Sequence, residues 1–380
     1  MSKETYFYNK HTLIAILMME DGVCTYVKEK HNLDFAPMLI RDNFEPDYIN
    51  LWLEKRAIPD KRDGLSQIIE NFGEDWNKQT HYASLTDQYW LTEDPCEKWD
   101  DINFFTNFYS LYVGDLFFKE WTIQENKTVN SPDITTNGIL KKRWIQNEDK
   151  TSSLIKAGNL RMKQEPLNEV LASVLLEKLD IIPFVKYDFY IEGFTLCSIC
   201  KNFIDENTEY IPASQLLIPK KVDNDDYYKA LLIEAERLGV ENYKDFLDAM
   251  ILVDYITQNV DRHLGNFGFI RNVNTGKIIG PAPIFDNGVA FWNNNKEILT
   301  LESKLFNNKI DILNEQRGKH MDKLKLLAKD NGYKSLIHQY PSITDKRKEH
   351  LIDGIEKMYN NCFKKEREII LQKPQQSLEL

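Results

Sequence analysis

The sequence predicts an α+β fold, with an antiparallel sheet and one helix ahead of a mainly helical body and a mixed extension in front. Three observations carry this. From Ser131 the chain reads as strands and tight turns, in "ITTNGILKKRWIQ" and "SLIKAG". One amphipathic pattern, "QEPLNEVLASVLLEKLDI", interrupts the strands. Beyond Pro212 helical periodicity takes over. At 380 residues the chain also exceeds what one hydrophobic core holds, about 250 to 300 residues, so more than one body is expected.

Taken in order, residues 1–110 form the mixed extension, rich in aromatic and turn residues and without legible chemistry. Its apolar run from Thr12 to Met19 is followed at once by Glu20 and Asp21, so it lacks the shape of a signal peptide. Residues 111–205 form the strand-rich part. Asn137-Gly138 is a hairpin signal, because a two-residue turn needs positive φ at both central positions, and it predicts three antiparallel strands before Gly158. In the helix that follows, Pro166 suits the first turn, and Leu167, Val170, Leu171, Val174 and Leu175 recur at helical spacing. "FVKYDFYI" and "FTLCSICKNFI" read as two further strands. Residues 206–380 form the helical body. Within it the stretch 243–259 is apolar around most of its girth and is expected to be buried, and amphipathic segments continue from Lys304 to Leu371 ahead of a polar tail from Gln372.

Composition excludes several functions. A formal net charge of -11 opposes a broad grip on nucleic acid or anionic lipid, both polyanions. No stretch approaches the roughly 20 apolar residues of a membrane span. Five scattered cysteines, odd in number, fit a reduced cytoplasmic setting. Cys197 and Cys200 form a CxxC, yet no second pair lies at zinc spacing, so they read as half-buried strand or loop cysteines.

Chemistry concentrates in "TQNVDRHLGNFGFI", which places Asp261, His263 and Asn266 within six residues. The run "FGFIRNVNTGKIIGPAPIFDNG" then reads as strand, turn, strand and Asp286-Asn287-Gly288. Such a hairpin returns Asp286 to Asn266, and a carboxylate beside a carboxamide oxygen suits Mg²⁺. Magnesium held this way is completed by substrate phosphates. Upstream, "TTNGILKK" offers backbone N–H groups for phosphates, Lys156 a cation on a sheet, and Glu169 a helix carboxylate. Alone, each is ordinary: a turn, an edge lysine, a solvated glutamate. Their order along the chain is that of the parts a kinase needs, which makes the expected architecture a bilobal protein-kinase-like fold.

With these phrases the chain resembles the HipA-like bacterial serine/threonine protein kinases, through "DITTNGILKKRW", "LIKAG", "QEPLNEVLAS", "CKNFIDENTEYIPAS", "LVDYITQNVDRHLGNFG" and "APIFDNG", over residues 131–292. "DRHLGN" is also similar to phosphoinositide kinase catalytic loops. The resemblance implies ATP and Mg²⁺ as cofactors, Asp261 as the base, Asn266 and Asp286 as metal ligands, and Lys156 on the α- and β-phosphates. Thr136, Asn137 and Gly138 would cover the phosphates, Lys201 and Phe203 would meet adenine through their backbone, and His263 would hold the catalytic loop in shape. It further implies a protein substrate with a Ser/Thr acceptor, a possible antitoxin-like or regulatory partner, and autophosphorylation at Ser131, Thr135, Thr136, Ser152 or Ser153. Two departures stand out: Ile204 occupies the place of the ribose-binding acid, with Asp205 one position on, and the loop has one glycine rather than a run. The N-terminal hundred residues do not match the small barrel of longer family members. The rival readings are an ATP-binding pseudokinase that grips a regulatory partner, and a lipid kinase, for which a basic membrane-facing surface is lacking.

Overall fold

The computed structural model describes residues 2–364 apart from 60, 63, 73–75, 119–128, 160, 162, 221, 223–226 and 294–308. The polar tail from Gln372 and the two ends of the amphipathic region, 304–308 and 365–371, lie outside the described residues.

In the N-terminal part, β1 (Lys3–Asn9), β2 (Thr12–Glu20) and β3 (Val23–Lys30) form a meander, and β4 (Tyr89–Thr92) closes it in the order β3-β2-β1-β4. Asp21 and Gly22 both have positive φ, as a two-residue hairpin requires. The apolar run from Thr12 is therefore an inner strand. Ile14, Leu17 and Met19 join Phe7 and Tyr89 in a core closed by Trp52 and Leu53 of the helix Pro46–Arg56.

The second sheet holds β5 (Lys142–Gln146), β6 (Ser152–Ala157), β7 (Tyr187–Glu192) and β8 (Thr195–Lys201) in the antiparallel order β5-β6-β8-β7. The helix Glu165–Leu179 runs between β6 and β7, with Pro166 in its first turn and Asp180 in the left-handed region at its end. Its Leu167, Leu171 and Leu175 enter one core with Leu247 and Ile251 of the helix Tyr243–Thr257, and with Leu351 and Ile355 of the helix Asp345–Cys362. Tyr243–Thr257 is buried on nearly every side, as its pattern predicts. The third sheet, β11-β10-β9, joins β9 (Thr208–Pro212) to the hairpin of β10 (Gly268–Asn272) and β11 (Ile278–Pro281). Gly268 has no substitute here, because a Cβ would lie 2.0 Å from the Ile211 carbonyl oxygen.

One predicted element is absent. Two strands, not three, lie between Ser131 and Gly158, and Asn137-Gly138 does not close a hairpin. Pro132–Thr135 instead makes a 3-10 turn, capped where Ser131 Oγ accepts from Asp133 N. The Asp133 carboxylate accepts from Trp144 N at 2.7 Å, and Thr135 Oγ1 donates to Ala83 O at 2.8 Å. Arg62 donates to the carbonyls of Thr136 and Gly138. Arg62, distant in sequence, thus takes loop carbonyls that a hairpin would have left to local pairing.

The N-terminal part is fastened to the third sheet through Arg271 on β10. This buried guanidinium pairs with Glu209 on β9 and donates to Tyr89 Oη, Phe35 O and Ala36 O. Removing one member of a buried ion pair leaves its partner uncompensated. Arg271→Met is accordingly expected to lower the unfolding free energy by about 3 to 5 kcal/mol in urea denaturation; a loss under about 1 kcal/mol, the range of exposed pairs, would contradict this role.

Candidate active site

Lys156 lies on β6, its neighbours Ile155 and Ala157 buried in the sheet's other core. Its ammonium reaches Glu169 Oε1 at 3.0 Å, Asp286 Oδ1 at 3.0 Å and Tyr187 Oη at 3.2 Å. Three chain segments thereby meet at one cation. Asp286 is brought there by a parallel bridge between Phe184 and Ile284, which lays the run into Asp286 beside the approach to β7. Asp286 itself has φ +62, a left-handed turn that sets its carboxylate toward Lys156.

Electrostatics follow from burial. The Lys156 and Glu169 side chains are 9% and 2% exposed, whereas Asp286 is 41% exposed. Burial pushes the Lys156 ammonium down, but Asp286 and Glu169 outweigh it and hold it well above its ordinary range. Desolvation would raise the Asp286 carboxyl, yet Lys156 and Lys142 keep it far below the usual carboxylate range. Glu169 is pushed up by burial against the pull of Lys156. The outcome is a lasting cation between a buried carboxylate and an ionised, half-exposed one.

The second oxygen of Glu169 accepts from Asn287 N at 2.8 Å, and Asn168, one residue earlier, donates to the carbonyls of Gly288 and Ala290. The helix therefore holds the whole 286–290 segment. Asn287 Oδ1 in turn accepts from Asn259 Nδ2 at 3.1 Å and from Arg262 Nη2 at 2.8 Å. Arg262, fully buried, also pairs with Asp254 at 3.0 Å and donates to Phe285 O at 2.6 Å and Asn266 O at 3.4 Å. One guanidinium bonds both the 261–266 loop and the 285–287 segment, so the hairpin does return Asp286 to the loop of Asn266.

Asp261 is half-buried, its N–H anchored on Asn259 Oδ1 at 3.1 Å. His263 is exposed, and its Nδ1 accepts from Gly265 N at 3.1 Å, which bends the loop back on itself. Asn266 is buried, its N–H bonded to His263 O. Tyr210 Oη donates to Gly265 O at 2.8 Å, and the rings of Tyr210, Phe203 and Phe285 pack within 5.4 to 5.7 Å of one another. The Phe203 ring thus supports the segment leading into Asp286. The Lys201 side chain points elsewhere, toward Asp149 at 3.7 Å. Ile204 is buried, and the Asp205 carboxylate accepts from Thr208 Oγ1 and Asn207 N, so this acid is engaged in its own turn.

Over the site, Thr136 Oγ1 donates to Pro132 O and receives Trp144 Nε1–H, and Gly138 has φ +99. Cys197 and Cys200 sit on β8, three residues apart and hence on opposite faces of the strand; Cys197 packs with Ile155, and Cys200 with Val170 and Tyr187. They are free thiols on a strand, more deeply buried than the half-buried placement the sequence suggests. Among the described residues no cluster of three or more His, Cys, Asp or Glu could hold a metal, and no helix is long and apolar enough to cross a membrane. Sequence reasoning missed Arg262, Asn287, Asn259 and Asp254. Asp254 carried a signal, being an acid set between the apolar residues Ala249–Val253 and Tyr255–Ile256.

No protein-family model matches the sequence, and neither does any curated protein. Among solved structures, HipA of Shewanella oneidensis MR-1, described in a toxin–antitoxin complex with HipB and operator DNA, is similar at a TM-score of 0.54 and 12% identity. That likeness covers 94% of this chain and 96% of HipA. The Helicobacter pylori proinflammatory kinase CtkA gives a TM-score of 0.49 and 17% identity over 62% of this chain and 94% of its own. The HipA likeness shows a HipA-like kinase fold. A match over 94% of the chain cannot omit its first 110 residues, so the likeness reaches into the N-terminal part, where the sequence showed none.

The buried pair makes Lys156 a stability residue as well. Without it Glu169 loses its cation and its folded-state pKa rises further above the unfolded value. The folded state then binds more protons than the unfolded one, and stability falls as pH rises. Lys156→Met should cost about 3 to 5 kcal/mol at pH 7 and distinctly less at pH 5 in urea titrations; an equal deficit at both would show that Glu169 does not depend on Lys156.

Proposed function

We propose that the chain is an ATP- and Mg²⁺-dependent serine/threonine protein kinase of HipA-like type, which transfers the γ-phosphoryl group to a protein hydroxyl. The observation that carries this reading is the Lys156 ammonium held between Glu169 and Asp286 at 3.0 Å each. A strand lysine braced by a helix glutamate, beside a metal-binding aspartate, is the arrangement of kinase phosphoryl transfer. The HipA-like fold supports it.

In this reading Lys156 turns its ammonium to the α- and β-phosphates while Glu169 keeps it in place. Asp286, ionised and half-exposed, and Asn266 are hard oxygen donors fit for Mg²⁺, which would neutralise phosphate charge when bound. Two protein ligands suffice, since phosphate and water complete the shell. Asp261 orients the acceptor hydroxyl and takes its proton, and His263, whose Nδ1 already accepts from Gly265 N, shapes the loop. Thr136, Asn137 and Gly138 cover the phosphates, and backbone groups of Lys201 and Phe203 meet adenine.

Autophosphorylation near this loop belongs to the proposal, with a structural condition. Ser131, Thr135, Ser152 and Ser153 are buried, and the half-buried Thr136 hydroxyl bonds Pro132 O and Trp144 Nε1. Ser131, Thr135 or Thr136 becomes an acceptor only when the 3-10 turn opens, and Ser152 or Ser153 only when the start of β6 is freed. An antitoxin-like or regulatory protein partner is part of the same reading, by analogy with the HipB complex of the HipA structure.

Purified protein incubated with Mg²⁺ and γ-labelled ATP is expected to label itself or a general protein acceptor. Asp261→Ala and Asp286→Ala should label about 10²-fold less or weaker still. Native protein that binds ATP yet transfers nothing would instead establish a nucleotide-binding module.

A further inference from the structure

Lys142 begins β5 directly opposite Lys156 on β6, so the two side chains share one face of the sheet. Both residues are buried, at 8% and 7% exposure. Like charges placed opposite each other across a sheet repel, and burial removes the water that would screen them. Lys156 is compensated by two carboxylates. Among the described residues Lys142 forms no ion pair; its ammonium donates to the carbonyl of Asn137 at 2.7 Å. Burial pushes that ammonium down to about 7, and Lys156 and Arg62 push it the same way, while Asp286 and Glu169 pull it up.

Arg62, from the N-terminal part, stands on the other side of the loop. Its Nε donates to Gly138 O at 2.9 Å and its Nη2 to Thr136 O. Among the described residues its Nη1, which is buried, has no hydrogen-bond partner, and its guanidinium lies 5.7 Å from the centre of the Phe117 ring. Gripped at both carbonyls, the loop lies directly on Lys142: a Cβ on Gly138 would fall 2.2 Å from Lys142 Nζ. Two buried cations, Arg62 and Lys142, therefore lie against Gly138, and a third, Lys156, lies opposite Lys142 on the next strand. The carboxylates of Glu169 and Asp286 already serve Lys156, and Asp133 is spent on Trp144 N and Ser131 Oγ.

We propose that Lys142 is a second phosphate-contacting cation of the nucleotide site, and that Arg62 is the positioning residue that holds the loop over it. The proposal rests on the kinase reading and specifies how a one-glycine loop grips phosphate. An incoming polyphosphate would take the Lys142 ammonium from Asn137 O and supply the anion that Lys142 lacks. The N-terminal part would then complete the nucleotide site instead of merely preceding it.

Calorimetric titration of the full chain with Mg²⁺-ATP and with AMP tests this. Lys142→Met should bind ATP about ten- to a hundredfold more weakly, the scale of a charge-assisted hydrogen bond, with AMP affinity changed less than threefold. Its unfolding midpoint should not fall below that of the native chain, since an uncompensated buried charge has been removed. Should the Met variant not fold, Lys142→Gln, which keeps a donor for Asn137 O but no charge, should show the same loss. If Arg62 acts through the loop, Arg62→Met should weaken ATP binding, and Arg62→Met/Lys142→Met should lose little beyond Lys142→Met alone. ATP affinity unchanged in the Lys142 variants overturns the phosphate contact, and fully additive losses overturn the positioning role. Native protein that binds neither nucleotide overturns this proposal together with the kinase reading, whereas the Lys142 result alone leaves that reading standing.

Discussion

A guanidinium cannot shed its charge inside a protein, and Arg262 carries one into a place with no solvent exposure. Its donors must be met by acceptors in fixed directions, and these come from the segments that compose the site. Asp254 provides the counter-charge from the buried helix, Asn266 a carbonyl from the 261–266 loop, Phe285 a carbonyl and Asn287 an amide oxygen from the segment of Asp286. Asn287 also donates its N–H to Glu169, which holds Lys156. The cations and carboxylates of both halves are therefore one connected network. Half-satisfied, such a network would be worse than an apolar core, so its completeness favours a single arrangement.

The N-terminal part is built into that arrangement. Arg271 locks it to β9 and β10, Gln88 donates to the carbonyls of Asp205 and Thr208, and Asn202 donates to Leu85 O. It therefore touches the linker after β8 as well as the 136–138 loop, through Arg62. The same partners explain why the Asn137-Gly138 signal failed as a hairpin: Asp133, Thr135 and Thr136 found acceptors and donors outside their own neighbourhood. Turn propensity is a local preference, and a set of buried hydrogen bonds outweighs it.

Much of the architecture was legible. The helix around Pro166, the strands of the second sheet, the buried run from Tyr243 and the hairpin after Gly268 all follow from period, proline and turn residues. So did the placement of Lys156, Glu169, Asp261, Asn266 and Asp286 on their elements, because each lies beside a strong local pattern. The residues that join them were not legible. Arg262 in "DRHLGN" looks like a solvated loop arginine, and Lys142 in "LKKRW" like one of several exposed charges.

By itself, then, the sequence determined the elements and their order, since backbone periodicity and turn chemistry act over a few residues. Tertiary structure alone decided which charges are paired, which among the described residues is left without a counter-ion, and how the first hundred residues bear on the site. Those outcomes depend on desolvation: a charge has its full effect only where water has been removed, and removal of water is settled by packing between segments far apart in the chain.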